Sequence, residues 1–127
     1  MGRSTIRTGD APQLPAPLSQ AVRKGPVLQV SGQLPIDPGT GTVAGTTVAE
    51  QTAQVVRNLE AVLAAAGASM ADVVMLRVYL TDPAHVGELN EAYAKLVGEP
   101  YPARTTVCTP LPRGMLVEID ALAVLGD

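Results

Sequence analysis

The chain has 127 residues, 46% hydrophobic and 17% charged, with nine Lys plus Arg against twelve Asp plus Glu and a net charge of −3. That suits one globular domain, taken as 1–127, able to bury roughly two thirds of its unfolded surface without disulfide or metal. Three tyrosines with no Phe or Trp offer no base-stacking platform, and the scattered cations form no phosphate-neutralising stripe, so no nucleic-acid partner is expected.

The single cysteine, Cys108, could not close an internal bridge, which fits a reducing, cytoplasmic setting, and with no local His or Lys partner it reads as a buried, inert thiol. The longest small-apolar run, Ala61 to Ala68, is far below the roughly 18 residues of a spanning helix, so no membrane partner is expected.

In chain order, Ser4 to Arg7 reads as a short polar strand, after which Pro12, Pro15 and Pro17 break any ladder and leave an irregular arm. Leu18 to Arg23 and Val27 to Gln33 flank Lys24-Gly25-Pro26 and predict a hairpin. Asp37-Pro38-Gly39-Thr40-Gly41 is a further turn. It is a poor phosphate loop, because no Lys-Ser or Lys-Thr follows it.

Thr47-Val48-Ala49-Glu50 has the form of a capping box, and Val48, Val55, Leu59, Val62, Leu63 and Ala66 recur at helical spacing up to Gly67, which predicts a helix over 47–66. Val73 to Leu80 predicts a central strand, with Val74, Leu76, Val78 and Leu80 on one side. Asp82 then caps a second helix with Pro83 in its first turn, carrying Val86, Leu89, Tyr93 and Leu96 on one face and ending at Gly98. Strands over 103–109 and 115–124 complete the order β-β-β-α-β-α-β-β. Right-handed crossovers place both helices on the same sheet face and leave the other face uncovered. That open face mixes apolar and charged residues, as an oligomer interface does.

Few residues carry chemistry. Glu118 and Asp120 interrupt an apolar strand on one face about 7 Å apart, a spacing that suits a shared site, the alternative being that both point to solvent or form ion pairs with Arg77 or Arg113. Arg104, at the start of a strand, offers either a surface salt bridge or a guanidinium fork able to bind a planar carboxylate bidentately. Ser31-Gly32 marks a bulge or a place where a ligand can approach backbone, and Asn90 and Tyr93 share a helix face. His85, the only histidine, is expected to be exposed; without a second His or Cys nearby, neither a metal site nor a Ser-His-Asp triad has the material it needs.

Ser31-Gly32-Gln33-Leu34-Pro35, the Asp-Pro-Gly-Thr-Gly turn, Gln51 to Ala66, Asn90-Glu91-Ala92-Tyr93, Tyr101-Pro102-Ala103-Arg104 and Val117-Glu118-Ile119-Asp120-Ala121 follow one another in that order. Together they resemble the Rid (YjgF) family of enamine and imine deaminases from about Ala11 to Val124. The resemblance implies a chorismate-mutase-like α+β subunit, a mixed sheet with two helices packed on one face. It further implies a homotrimer with sites in the clefts between subunits, a small imino acid or related carboxylate as ligand, and no cofactor or metal.

By the same resemblance Arg104 binds the substrate carboxylate and Glu118 positions the attacking water, while Ser31, Gly32, Asn90 and Tyr93 line or support the pocket. Thr106 joins that substrate-binding set at a position where the family often has Cys, and Leu18 stands where it often has Tyr. These two departures imply a pocket of altered shape or polarity and leave room for two other readings, a specialised biosynthetic role and a non-catalytic metabolite-binding module. A carboxylate beside Arg104 is expected to have a lowered pKa, which would make Glu118 an acceptor that orients water. The endoribonuclease activity ascribed to some relatives sits poorly with the acidic balance and the missing aromatics.

Overall fold

Two amphipathic helices and six strands build the chain in the computed structural model, which describes residues 2–126; Met1 and Asp127 of the expected 1–127 domain lie outside it. Helix α1 (Val48–Ala65) opens at Thr47 through the predicted capping box. The Thr47 hydroxyl accepts the Glu50 amide, and the Glu50 carboxylate accepts the Thr46 and Thr47 amides. Those bonds favour the ionised form and hold Glu50 below the usual carboxylate range. At the far end Gly67 takes φ +76°, and the amides of Gly67 and Ala68 close on the carbonyls of Ala64 and Leu63. The face made by Val55, Leu59, Val62 and Leu63 is fully buried.

The second helix starts later than predicted. Asp82 does cap the Ala84 amide, but Pro83–His85 is a 3-10 turn in which the His85 amide reaches the Asp82 carbonyl, and α2 proper spans Val86–Val97. Leu89 and Tyr93 are buried on its inner face. The Glu88 carboxylate accepts the Ala49 amide at 2.9 Å, so one acid of α2 ties the start of α1 to it. His85 is half-buried and its Nδ1 lacks a partner among the described residues, which corrects the exposed placement expected for it.

The strands are β1 (Ser4–Ile6), β2 (Ala21–Lys24), β3 (Val27–Gln33), β4 (Val73–Leu80), β5 (Ala103–Cys108) and β6 (Val117–Val124), in the sheet order β1-β2-β3-β6-β4-β5. β4 and β5 are parallel and joined through α2, while the other pairs are antiparallel and the last strand slots between β3 and β4. The β2 strand is shorter than the predicted 18–23. Leu18 turns back so that its amide meets the Ala16 carbonyl, and the buried Gln20 side chain gathers the proline-rich arm: it accepts the Thr8 amide at 2.7 Å and donates to the carbonyls of Thr8, Ala11 and Pro12. The Asp37–Thr42 turn closes as predicted, the Asp37 amide on the Thr42 carbonyl at 2.9 Å.

Both helices cover one face of the sheet. Leu28, Val30, Leu76, Val78, Leu80, Val117, Ile119, Ala121 and Ala123 form the core beneath them. The other face is open, with Val27, Val107 and Val124 exposed. Val74 departs from the predicted alternation: a register shift between Val73 and Met75 sends Val73 into the core and leaves Val74 exposed.

Buried amides anchor the loops that flank the sheet. Gln51 is fully buried, donates to the carbonyls of Gly45 and Gly114, and accepts the Leu116 amide at 2.7 Å. Gln51→Leu keeps the bulk and strands those three backbone groups. It is expected to cost about 2–4 kcal/mol in urea unfolding, since each buried group left without a partner costs about 1–3 kcal/mol and some regain water.

Candidate functional site

Strand phase decides where the predicted site residues point. Arg104 pairs with Leu76 and Thr106 with Val78, both core-facing, so Arg104 and Thr106 project on the helix face. Glu118 pairs with Tyr79 and Asp120 with Arg77, on the open face. The cationic fork and the strand glutamate therefore leave the sheet in opposite directions, and one subunit cannot bring them to one pocket. The six predicted substrate-binding residues and Glu118 divide into two half-sites.

The first half-site is built on β5 and α2. Arg104 Nη2 donates to Asn90 Oδ1 at 2.7 Å, and its guanidinium carbon lies 4.9 Å from the centre of the Tyr93 ring. Asn90 and Tyr93, three residues apart on one helix face, thus fix the fork by a hydrogen bond and by the ring's negative face. Among the described residues no acid pairs with Arg104, so its remaining N–H groups are open to a ligand. A cavity of about 280 Å³ lies here, lined by Asn90, Tyr93, Ala94, Tyr101, Pro102 and Arg104.

Tyr101, its ring centre 6.4 Å from that of Tyr93, lines the same cavity and is not among the residues expected there from sequence; the one signal for it is its place at the head of the Tyr-Pro-Ala-Arg run. The hydroxyls of Tyr93 and Thr106 are buried without a partner among the described residues. Burial raises the Tyr93 pKa, offset in part by Arg104, which keeps the phenol protonated at neutral pH.

The second half-site is built on β3 and β6. Ser31 and Gly32 form the predicted bulge, where the β3–β6 register slips between Val30 and Gln33. The Ser31 hydroxyl donates to the Ser19 carbonyl and its amide to the Gln20 carbonyl, so the bulge is locked to the end of the arm that carries the exposed Leu18. The Glu118 carboxylate lies across Gly32: a β-carbon at Gly32 would fall 2.1 Å from Glu118 Oε2. The carboxylate can occupy this place only because residue 32 has no side chain.

Glu118 is half-buried, and its pKa is raised, first by burial and then by the Asp120 charge. This corrects the lowered pKa expected from a neighbouring Arg104, because within one subunit Arg104 is on the far side of the sheet. Asp120 is the member of the pair that forms the ion bridge, with Arg77 Nε at 2.8 Å, and it also accepts the Tyr79 hydroxyl at 2.9 Å. Cys108 is exposed at the end of the edge strand β5 rather than buried. No group of three or more His, Cys, Asp or Glu able to hold a metal ion occurs among the described residues, and no helix there is long and apolar enough to cross a membrane.

A profile of the family described as Endoribonuclease L-PSP matches residues 8–125. This chain belongs to the Rid (YjgF) family. It is 43% identical to a RutC family protein of Pyrococcus horikoshii over 95% of this chain and 97% of that one. It is 38% identical to the 2-iminobutanoate/2-iminopropanoate deaminase of Mus musculus over 98% and 93% of the two chains. Among solved structures, RidA of an Antarctic Psychrobacter superposes with a TM-score of 0.91 at 40% identity, covering 96% of this chain and 99% of that one. The Rid fold is the chorismate-mutase-like α+β arrangement, a six-stranded sheet with two helices, as the resemblance in sequence implied.

Proposed function

We propose that this Rid chain is a cytoplasmic deaminase that hydrolyses reactive 2-imino and enamine acids, such as 2-iminobutyrate or 2-iminopropionate, to 2-keto acids and ammonia. The observation that carries the reading is Arg104: a guanidinium without an ion-pair partner among the described residues, preset by Asn90 and Tyr93 at the edge of a small cavity, in a chain 38% identical to a named imino-acid deaminase. The working unit is a homotrimer in which Arg104 of one copy and Glu118 of an adjoining copy meet. Their projection from opposite sheet faces and the exposed Val27, Val74, Val107 and Val124 support this.

The imine carbon is already electrophilic, so positioning supplies most of what is needed. Arg104 holds the carboxylate as a fork, and Glu118 orients a water toward the C=N carbon. Water adds with its oxygen to carbon and one proton to nitrogen, giving a carbinolamine; its hydroxyl proton then passes to the nitrogen, and ammonia leaves as the C=O bond forms. A carboxylate that orients the water can also take a proton from it and return it to the nitrogen, so Glu118 serves as proton carrier as well as acceptor. The residues ask for no cofactor or metal in this scheme.

The test is a coupled assay in which an imino acid is released in situ and semicarbazone formation is followed. The wild-type chain suppresses the semicarbazone, whereas Arg104→Ala and Glu118→Ala alone do not. Co-expressing the two variants restores activity, because roughly a quarter of the clefts in randomly mixed trimers then hold both intact residues. No recovery in the mixture would refute a shared cleft.

A non-catalytic trimeric binding module is the second reading, favoured by Leu18 and Thr106 where the family often has Tyr and Cys. It wins if a carboxylate ligand raises the melting temperature while no imino acid is consumed.

A further inference from the structure

The open face holds a polar group that the hydrolytic scheme leaves unused. Asp120 is 7% exposed, yet its two carboxylate oxygens are both engaged, Oδ1 by Arg77 Nε at 2.8 Å and Oδ2 by the Tyr79 hydroxyl at 2.9 Å. Asp120 lies two residues from Glu118 on the same face of β6, and Tyr79 is the direct cross-strand partner of Glu118. Glu118 is walled on its other side by the Gly32 backbone. One carboxylate is thus clamped in a single position beside another that has no ion-pair partner among the described residues.

We propose that Asp120, fixed by Arg77 and Tyr79, is a positioning residue of the deaminase reaction that acts through Glu118, by holding a fixed negative charge beside it on the same strand face and so setting how readily Glu118 takes up and gives back a proton. The inference rests on the reading of Glu118 given under Proposed function. A negative charge on the same strand face disfavours the ionised form of Glu118, and a tightly held Asp120 cannot swing away to relieve this. The direction is consistent with this: the Glu118 pKa is raised, first by burial and then by the Asp120 charge.

The groups facing Glu118 are Asp120 on its own strand, and Tyr79 and Arg77 on β4. From β3 come only Ser31 and Gly32, which do not titrate. In the proposed trimer, Arg104 of the adjoining copy faces it as well. Arg77 acts in the opposite sense from Asp120, because its guanidinium neutralises part of the Asp120 charge. This opposition separates tuning from mere support, for loss of a brace would weaken the site alike in both variants.

The experiment titrates the Glu118 carboxyl carbon by NMR in the intact assembled protein, assigned by its absence in Glu118→Gln, alongside the pH dependence of kcat/KM. Asp120→Asn keeps shape and acceptor while removing the charge; the Glu118 midpoint and the acid limb of the rate profile are expected to move to lower pH. Arg77→Gln, changed at a side chain that is half exposed, is expected to move both to higher pH. Midpoints that stay put in both variants, or that move the same way, would overturn the proposal. Midpoints that move in opposite directions while the rate profile does not follow would uphold Asp120's control of Glu118 and refute instead the role of Glu118 in hydrolysis.

Discussion

Arg104→Ala is expected to lower kcat/KM for 2-iminobutyrate, released in situ by a threonine dehydratase, by about 10²-fold. A charge-assisted hydrogen bond to a charged partner contributes about 1.5–3 kcal/mol, and each 1.36 kcal/mol is about a factor of ten in rate. The loss should appear in both kcat and KM, since the guanidinium both binds the carboxylate and sets the distance from the imine carbon to the water.

Arg104→Lys separates these contributions. It retains the charge but loses the planar fork, the bond to Asn90 Oδ1 as now formed and the stacking over Tyr93, and an intermediate loss of about tenfold is expected. Neither variant should disturb folding much, because the side chain lies on an edge strand and makes no ion pair among the described residues. Wild-type turnover in Arg104→Ala would remove the carboxylate anchor from the scheme.

The helices were legible in the sequence because their signals are local. Thr47 and Glu50 cap within three residues, Gly67 stops the helix with its own backbone, and the apolar rows of α1 recur at a spacing no strand would use. The residues of the site were legible only as an inventory. Alternation within a strand separates its two faces, but says nothing of which face joins which face of the neighbouring strand.

In β6 the apolar row of Val117, Ile119, Ala121 and Ala123 announces the core side, so Glu118 and Asp120 could be assigned outward. In β5 the row that lies over the core side is Arg104, Thr106 and Cys108, while the outward row is Ala103, Thr105 and Val107, and neither reads as core. Only pairing with β4 gives the phase. Hence the opposite projection of Arg104 and Glu118 and the raised rather than lowered pKa of Glu118 escaped the sequence, while the exposure of Cys108 escaped because nothing in the sequence marks β5 as an edge strand. The slip at Val73–Met75 escaped for the same reason, since an extra residue in a bulge leaves no mark in a run of β-branched and apolar side chains.

Gly32→Ala should separate activity from stability more sharply than any other single change. Its φ is not in the left-handed region, so alanine meets no backbone penalty there. What the new methyl meets is the end of one side chain: Glu118 Oε2 at 2.1 Å and the carboxyl carbon at 3.0 Å. A glutamate can rotate its terminal groups away for about 0.5–1.5 kcal/mol, so the melting curve should hardly move.

The carboxylate, however, can no longer lie across the bulge, and a water placed about 1 Å from its attack position costs about 10²-fold in rate. The expected result is a folded protein with near wild-type thermal unfolding, a KM little changed because Arg104 is on the other half-site, and kcat reduced by about two orders of magnitude. Glu118→Gln should then cost little further in the Gly32→Ala background, since both changes disable the same group. If Gly32→Ala retained full kcat, the water-positioning role of Glu118 would fail, because the place its carboxylate takes across the bulge would then not matter to the reaction.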